Sequence, residues 1–307
     1  MFALETLADL PALAELPGLE DASTDMIAQM IEEGGKFFEE ELAPTNWDAD
    51  QAACTLENGV VRTYEKFPEI YRSYRETGWI GAAYDPEIGG LGLPWAVNAA
   101  GQEMLFAANM SFSLCPLLSQ GAIEAIEAHG SDEQREKYLE KLVSGEWTGT
   151  MNLTEPHAGS DVGALKSRAE PQPDGSYRIF GQKIYITFGE HDMADNIIHL
   201  VLARTPGAPA GTKGISLFIV PKYLVNDDGS LGQRNDAKCI KLEEKLGIHA
   251  SPTCVMQYGD DEGAIGYLIG PENGGMSRMF TMMNNARLGV GIQGLGIAER
   301  AYQHALA

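Results

Sequence analysis

Hydrophobic residues change their spacing twice along this chain, and that change limits the fold more than any other feature. In the first part apolar positions recur at helical steps. Met26, Ile27, Met30, Ile31, Phe37, Phe38 and Leu42 follow this spacing, with Pro44 closing the run. Leu117, Leu118, Ala122, Ile123 and Ile126 repeat it up to a stop at Gly130, after which Ser131 and Gln134 make a capping box ahead of Tyr138, Leu139, Leu142 and Val143. Helices joined by short turns pack antiparallel, so residues 1–150 are expected to form an all-α bundle.

From 151 to 270 the period falls to two. Asp174-Gly175 is a hairpin signal, followed by Tyr177, Ile179, Ile184 and Ile186; 197–203, 215–220 and 254–258 are further short apolar runs. No long helical stretch separates them, which predicts an antiparallel β domain, a sandwich or barrel. After Pro271 the helical period returns through Met276, Met279, Met283, Leu288, Ile292 and Leu295. Nothing in Ala305-Leu306-Ala307 stops a helix, so 271–307 reads as the first helix of a C-terminal bundle expected to continue past Ala307. The class is α+β, multidomain.

Composition narrows the function. Lys plus Arg number 22 against 44 Asp plus Glu, a net charge of −22, which argues against phosphate-neutralising nucleic-acid binding. Insertion into a membrane is not expected, because no apolar run approaches the ~18 residues of a span. The first basic residue is Lys36, so the N-terminus lacks the n-region of a secretory signal. Cys54, Cys115, Cys239 and Cys254 are far apart with no C-x-x-C pair, which suits reduced thiols and a cytoplasmic location.

Gly289-Val290-Gly291-Ile292-Gln293-Gly294 matches G-x-G-x-x-G, but a helical pattern precedes it where the dinucleotide fingerprint needs a strand. The plainer reading is that Gly289, Gly291, Gly294 and Gly296 let helices approach closely. The histidines show no H-E-x-x-H spacing, so no metal is expected. The informative stretch is 151–161, a turn-rich loop where helical pattern gives way to sheet. Thr154 and Ser160 offer hydroxyls there and Gly159 leaves main-chain N–H groups approachable, as anion sites require. A simple interdomain connection built from Asx and Ser turns fits the same residues.

Leu153-Thr154-Glu155-Pro156-His157-Ala158-Gly159-Ser160-Asp161 resembles the L-T-E-P-x-A-G-S-D signature of the acyl-CoA dehydrogenase flavoproteins. Three further segments are similar to family motifs in the same order: Pro86-Glu87-Ile88-Gly89-Gly90-Leu91-Gly92, the run from Gly130 to Leu139, and Gly181-Gln182-Lys183-Ile184-Tyr185-Ile186-Thr187. The resemblance implies a helical N-terminal domain, a β domain and a C-terminal helical bundle, with FAD between the last two. It implies that Met151, Leu153 and Thr154 line the flavin, that Gly159 and Ser160 lie near the phosphates and thioester, and that Tyr185, Ile186 and Thr187 face the ring. Tyr185 stands where the family usually has Trp.

The implied reaction is α,β-dehydrogenation of an acyl-CoA in fatty-acid β-oxidation, with an electron-transferring flavoprotein as acceptor and a homodimer or dimer of dimers as assembly. Ser160, Asn284 and Arg287 would touch substrate, Asn284 replacing the acid of the family's D-x-x-R. The family's catalytic Glu is expected beyond Ala307, leaving no catalytic residue in this chain. Residues 282–291 are similar to the longer bacterial branch of the family that acts on methylthiopropanoyl-CoA; a fatty acyl-CoA is the other substrate type. A non-catalytic flavin or acyl-CoA binding module, and a flavin oxidase on the same fold, are the alternatives.

Overall fold

The computed structural model describes residues 1–19 and 22–307. The helical part comprises α1 (Phe2–Thr6), α2 (Leu10–Leu13), α3 (Thr24–Phe37), α4 (Thr45–Ala52), α5 (Phe67–Glu76), α6 (Trp95–Ala108), α7 (Met110–His129) and α8 (Asp132–Val143). Ser23 caps α3 by accepting from Met26 N at 3.3 Å. That helix runs into a π-helical turn at Phe38–Leu42, which turns Phe38 and Leu42 into the core, and Pro44 then opens α4. The predicted capping box on α8 is present in both directions, and α7 ends at Gly130.

Not all of this region is helical. β1 (Thr55–Glu57) and β2 (Val60–Arg62) form a hairpin around Asn58-Gly59, both at positive φ (52° and 78°). Strands of three residues carry no readable period, but Asn-Gly is a primed-turn signal.

The remaining strands are β3 (Trp147–Asn152), β4 (Arg168–Pro171), β5 (Tyr177–Thr187), β6 (Asn196–Ala203), β7 (Ser216–Pro221), β8 (Tyr223–Val225), β9 (Leu231–Arg234), β10 (Ala237–Leu242), β11 (Thr253–Tyr258) and β12 (Ala264–Leu268). All but β8 and β9, which pair with each other, join one eight-stranded sheet in the order β10-β11-β5-β12-β7-β6-β3, with β4 also on β5. The expected hairpin turns at Gly175 (φ 85°), with Gln172 N donating to Ser176 O at 2.8 Å. The sheet is antiparallel except for one pair: β3 runs parallel to β6. The local pattern could not show this, because a parallel partner is reached through a long connection, here the one carrying β4 and β5. All eight residues of β6 are buried, as suits a strand covered on both faces.

The last element is α9 (Gly275–Leu306), a continuous helix of 32 residues. A Cβ at Gly275 would lie 2.4 Å from the Ser216 carbonyl carbon, so the helix starts hard against β7. The expectation of four close glycine approaches holds at two positions. A Cβ at Gly289 would meet Leu117 at 2.4 Å, and one at Gly296 would meet Glu103 O at 2.9 Å. Gly291 and Gly294 face open space, and the whole G-x-G-x-x-G lies inside the helix.

Candidate functional site

The site is built where β3 ends. Leu153 and Thr154 follow it half-buried, and residues 155–158 close a tight turn in which Ala158 N donates to Glu155 O at 3.0 Å. Ile184 N donates to Thr154 O at 2.9 Å, which ties this loop to β5. Opposite β11 the register of β5 slips, from Met256↔Lys183 to Cys254↔Ile186. Ile184 and Tyr185 therefore share one partner position, a β-bulge. Tyr185 takes φ 60° and Phe188 takes φ 50°. Each such non-glycine conformation costs on the order of 1–3 kcal/mol and persists only where surrounding contacts impose it. The bulge leaves the Tyr185 ring 61% exposed between the buried Lys183 and Ile186.

Charge fixes the loop from inside. The buried Glu155 carboxylate accepts from Lys183 Nζ (2.8 Å), Lys166 N (2.7 Å) and Ser167 N (3.0 Å), while Lys183 Nζ also donates to Leu153 O at 3.1 Å. Burial pushes the Glu155 carboxyl up, but the Lys183 ammonium and the N–H donors outweigh it and hold it below its usual range. Burial brings Lys183 down to about 8 against the opposing pull of Glu155.

A buried polar row backs the loop along β3. Thr148 pairs with His191 Nε2 (2.9 Å), Thr150 with His199 Nδ1 (2.7 Å), and Asn152 accepts from Tyr258 OH (2.9 Å). His191 Nδ1 accepts from Met193 N, so its proton sits on Nε2 and the ring is neutral. Burial first, then the nearby Lys222 and Arg234 cations, brings His199 down to about 3. The carboxylate of Glu190 is occupied by Lys222 (2.5 Å) and Arg234 (2.8 Å).

The surface facing outward offers unused donors. Among the described residues, the hydroxyls of Thr154 and Thr187 and the main-chain N–H groups of Gly159, Ser160 and Asp161 have no hydrogen-bond partner. Thr187 lies in register with Thr253 at the end of the bulged stretch. Consecutive free N–H groups on an exposed turn suit an anion.

Met151, Leu153 and Ala158 share a hydrophobic cluster with Ala122 and Ile123 of α7 and Met276, Met279, Met282 and Met283 of α9, which brings that helix to the loop. Asn284 and Arg287 are exposed on α9 and hydrogen-bonded to each other. Ile186 is only 2% exposed, packed in the core of the sheet, and offers its main chain alone. Sequence reading gave no role to Glu155, although it lies inside the quoted signature, nor to Lys183 and Arg204. It also passed over Glu124 on α7, which Asn285 of α9 contacts. Burial drives the Glu124 carboxyl up to about 7; the Asn285 bond opposes this and Glu127 adds to it.

The fold and the matched segments together define a class. Residues 24–146 match the N-terminal domain of acyl-CoA dehydrogenases and 150–260 match the middle domain, and the chain belongs to that family. It is 50% identical over 307 residues to 3-methylmercaptopropionyl-CoA dehydrogenase of Ruegeria pomeroyi, covering 100% of this chain and 52% of that protein. Two of the solved structures that share the fold are acyl-CoA dehydrogenases. Butyryl-CoA dehydrogenase from Megasphaera elsdenii superposes with TM-score 0.74 at 27% identity, over 92% of this chain and 68% of that one. An acyl-CoA dehydrogenase complexed with FAD from Bacillus anthracis gives 0.72 at 25% identity, over 92% and 43%. The chain spans about half the length of several curated relatives it matches.

Proposed function

We propose that residues 1–307 supply the flavin-binding face of an FAD-dependent dehydrogenase that forms the α,β double bond of an acyl-CoA thioester. The observation that carries this reading is the exposed Tyr185 ring on a strained bulge, with two free threonine hydroxyls on neighbouring backbone: Thr187 two residues on, and Thr154, whose carbonyl accepts from the adjacent Ile184 N. A flat aromatic ligand with polar edges fits such a surface, since the ring supplies apolar contact and the hydroxyls satisfy edge atoms. The donor set therefore suits FAD: Thr154 and Thr187 would hold the edge of its ring, Tyr185 would cover it, and Gly159 and Ser160 would donate to phosphate or thioester oxygens.

When bound, the flavin supplies the hydride-accepting chemistry. The residues of this chain bind, orient and keep water from it. The cluster of Met151, Leu153 and the α9 methionines forms an apolar wall, and the fixed charges behind it keep the donors in place without reorganisation. A free carboxylate base must come from elsewhere. Glu155 and Glu190, the buried carboxylates adjoining the flavin-facing loop and strand, are each committed to cations, and the Glu124 carboxyl on α7 is engaged by Asn285. We place the base outside residues 1–307. Asn284 and Arg287 are assigned to the acyl-CoA, electrons to an electron-transferring flavoprotein, and the substrate to the short fatty acyl or methylthiopropanoyl type that relatives are named for.

The test is anaerobic mixing of the protein in its natural length, loaded with FAD, with butyryl-CoA and with methylthiopropanoyl-CoA. Bleaching of the oxidised flavin's visible absorption, with formation of the enoyl-CoA, is expected. A flavin that binds but stays oxidised with every acyl-CoA would favour the non-catalytic binding module; rapid reoxidation by oxygen would favour an oxidase.

A further inference from the structure

We infer that Arg204, outside the flavin face, is the positioning residue that holds the Gly159-Ser160-Asp161 donor turn in shape; its functional consequence rests on the reading above. Arg204 follows β6 directly, and its main chain already stitches the loop to the sheet: Arg204 N donates to Ser167 O at 2.9 Å, and Arg204 O accepts from Ala169 N at 2.7 Å. Its guanidinium then reaches main-chain carbonyls from two separate segments. Nε donates to Leu165 O (3.1 Å), Nη1 to Pro209 O (2.9 Å), and Nη2 to both Gly211 O (2.8 Å) and Gly163 O. Among the described residues it has no carboxylate partner within salt-bridge distance, so the charge is spent on backbone.

The backbone around it leaves room for nothing else. A Cβ at Gly214 would lie 1.8 Å from Pro209 O and 2.8 Å from Arg204 Nη1, and one at Gly163 would lie 3.0 Å from Asp161 Oδ1 and 3.3 Å from Gly211 Cα. The two glycines allow two loops to close over one planar fork. Lysine cannot replace that fork, since a single ammonium does not reach four carbonyls spread around the edge of a guanidinium plane.

The donor turn is thus pinned at two ends. Upstream, Glu155 gathers Lys183 and the N–H groups of Lys166 and Ser167; downstream, Arg204 gathers the carbonyls of Gly163 and Leu165. Between them residues 159–161 keep their N–H groups free of protein partners, an arrangement a flexible loop would lose by folding those donors onto its own carbonyls. Binding a phosphate or thioester then needs no ordering of the loop, and affinity gains what ordering would cost.

The experiment compares wild type with Arg204→Lys in the protein's natural length, by amide hydrogen exchange without flavin and by FAD and acyl-CoA titrations with it. We expect exchange at the hydrogen-bonded amides of residues 164–167 to quicken by about tenfold, the scale of losing one charge-assisted hydrogen bond. The KM for acyl-CoA and the dissociation constant of FAD rise by a similar factor, kcat changes little, and the urea midpoint falls by no more than the loss of that one hydrogen bond accounts for. Wild type alone supplies a second readout: the Arg204 Nε proton should exchange slowly by NMR. Wild-type exchange over 164–167 in the variant, loosening spread evenly through β3 and β5, or a freely exchanging Nε proton in wild type would each overturn the proposal. A wild-type flavin that no acyl-CoA reduces would overturn the dehydrogenase reading and leave the exchange result standing.

Discussion

Lys183 has no side-chain exposure, and its counter-ion Glu155 has 2%. Two buried charges repay their desolvation only together, so removing one partner is far costlier than the pair's net worth. Lys183→Met leaves Glu155 ionised in the core and is expected to lower stability by roughly 3–5 kcal/mol, read as a fall in urea midpoint. A loss below about 1 kcal/mol would mean the carboxylate takes a proton at little cost. The two buried histidines set a pH dependence. Both folded-state pKa values are depressed, His199 to about 3, while an unfolded histidine titrates near 6.5. Below about pH 6.5 the unfolded chain takes up protons that the folded chain refuses. Stability therefore falls as pH drops from there towards about 3, by at most ~1.4 kcal/mol per pH unit for each ring. His249 works the other way. Its hydrogen bond to Asp50 raises its pKa, so its contribution is complete below the unfolded value and fades as pH rises through the folded one. Urea midpoints measured between about pH 7 and 5 should decline in wild type, and His199→Gln should flatten that decline. A slope identical in the variant would show that His199 is not the neutral group described.

At the scale of elements, α9 separates two kinds of glycine. Gly289→Ala drives a methyl into Leu117, whereas Gly291→Ala meets nothing and gains ordinary helix propensity, about 0.5–1 kcal/mol. In residues 1–307 the first should lower the melting temperature and the second raise it; shifts of the same sign would contradict the packing of α9 on α7. These two glycines look alike in sequence, and the difference shows what was legible. Asp174-Gly175, the Ser131–Gln134 box and the stop at Gly130 act within a few residues, so local pattern exposed them. The loop at 153–161 was legible because its signature is long. The parallel pairing of β3 with β6, the bulge at Tyr185 and the burial of Lys183 were not. Each depends on a partner far along the chain, and a bulge breaks the very alternation by which a strand is read.

For the whole molecule, helical layer and sheet are joined through the cluster that holds α7, the loop after β3 and the start of α9. Beyond it α9 leaves Leu288 (63%), Val290 (55%) and Leu295 (55%) exposed. Residues 1–307 expressed alone should therefore self-associate with rising concentration on size-exclusion chromatography. On the proposed placement of the base they should also give no acyl-CoA-driven reduction of an artificial acceptor; such turnover by residues 1–307 would place the base within them. The assignment on which the rest depends is the flavin face itself, and FAD titration of the natural-length protein tests it most directly. On the proposed assignment, replacing Thr154 and Thr187 together with Val would remove two edge hydrogen bonds while keeping shape and Tyr185. The dissociation constant for FAD should rise by about ten- to a hundredfold, the loss of two hydrogen bonds at roughly 1 kcal/mol each or somewhat more. Affinity unchanged from wild type would contradict the assignment.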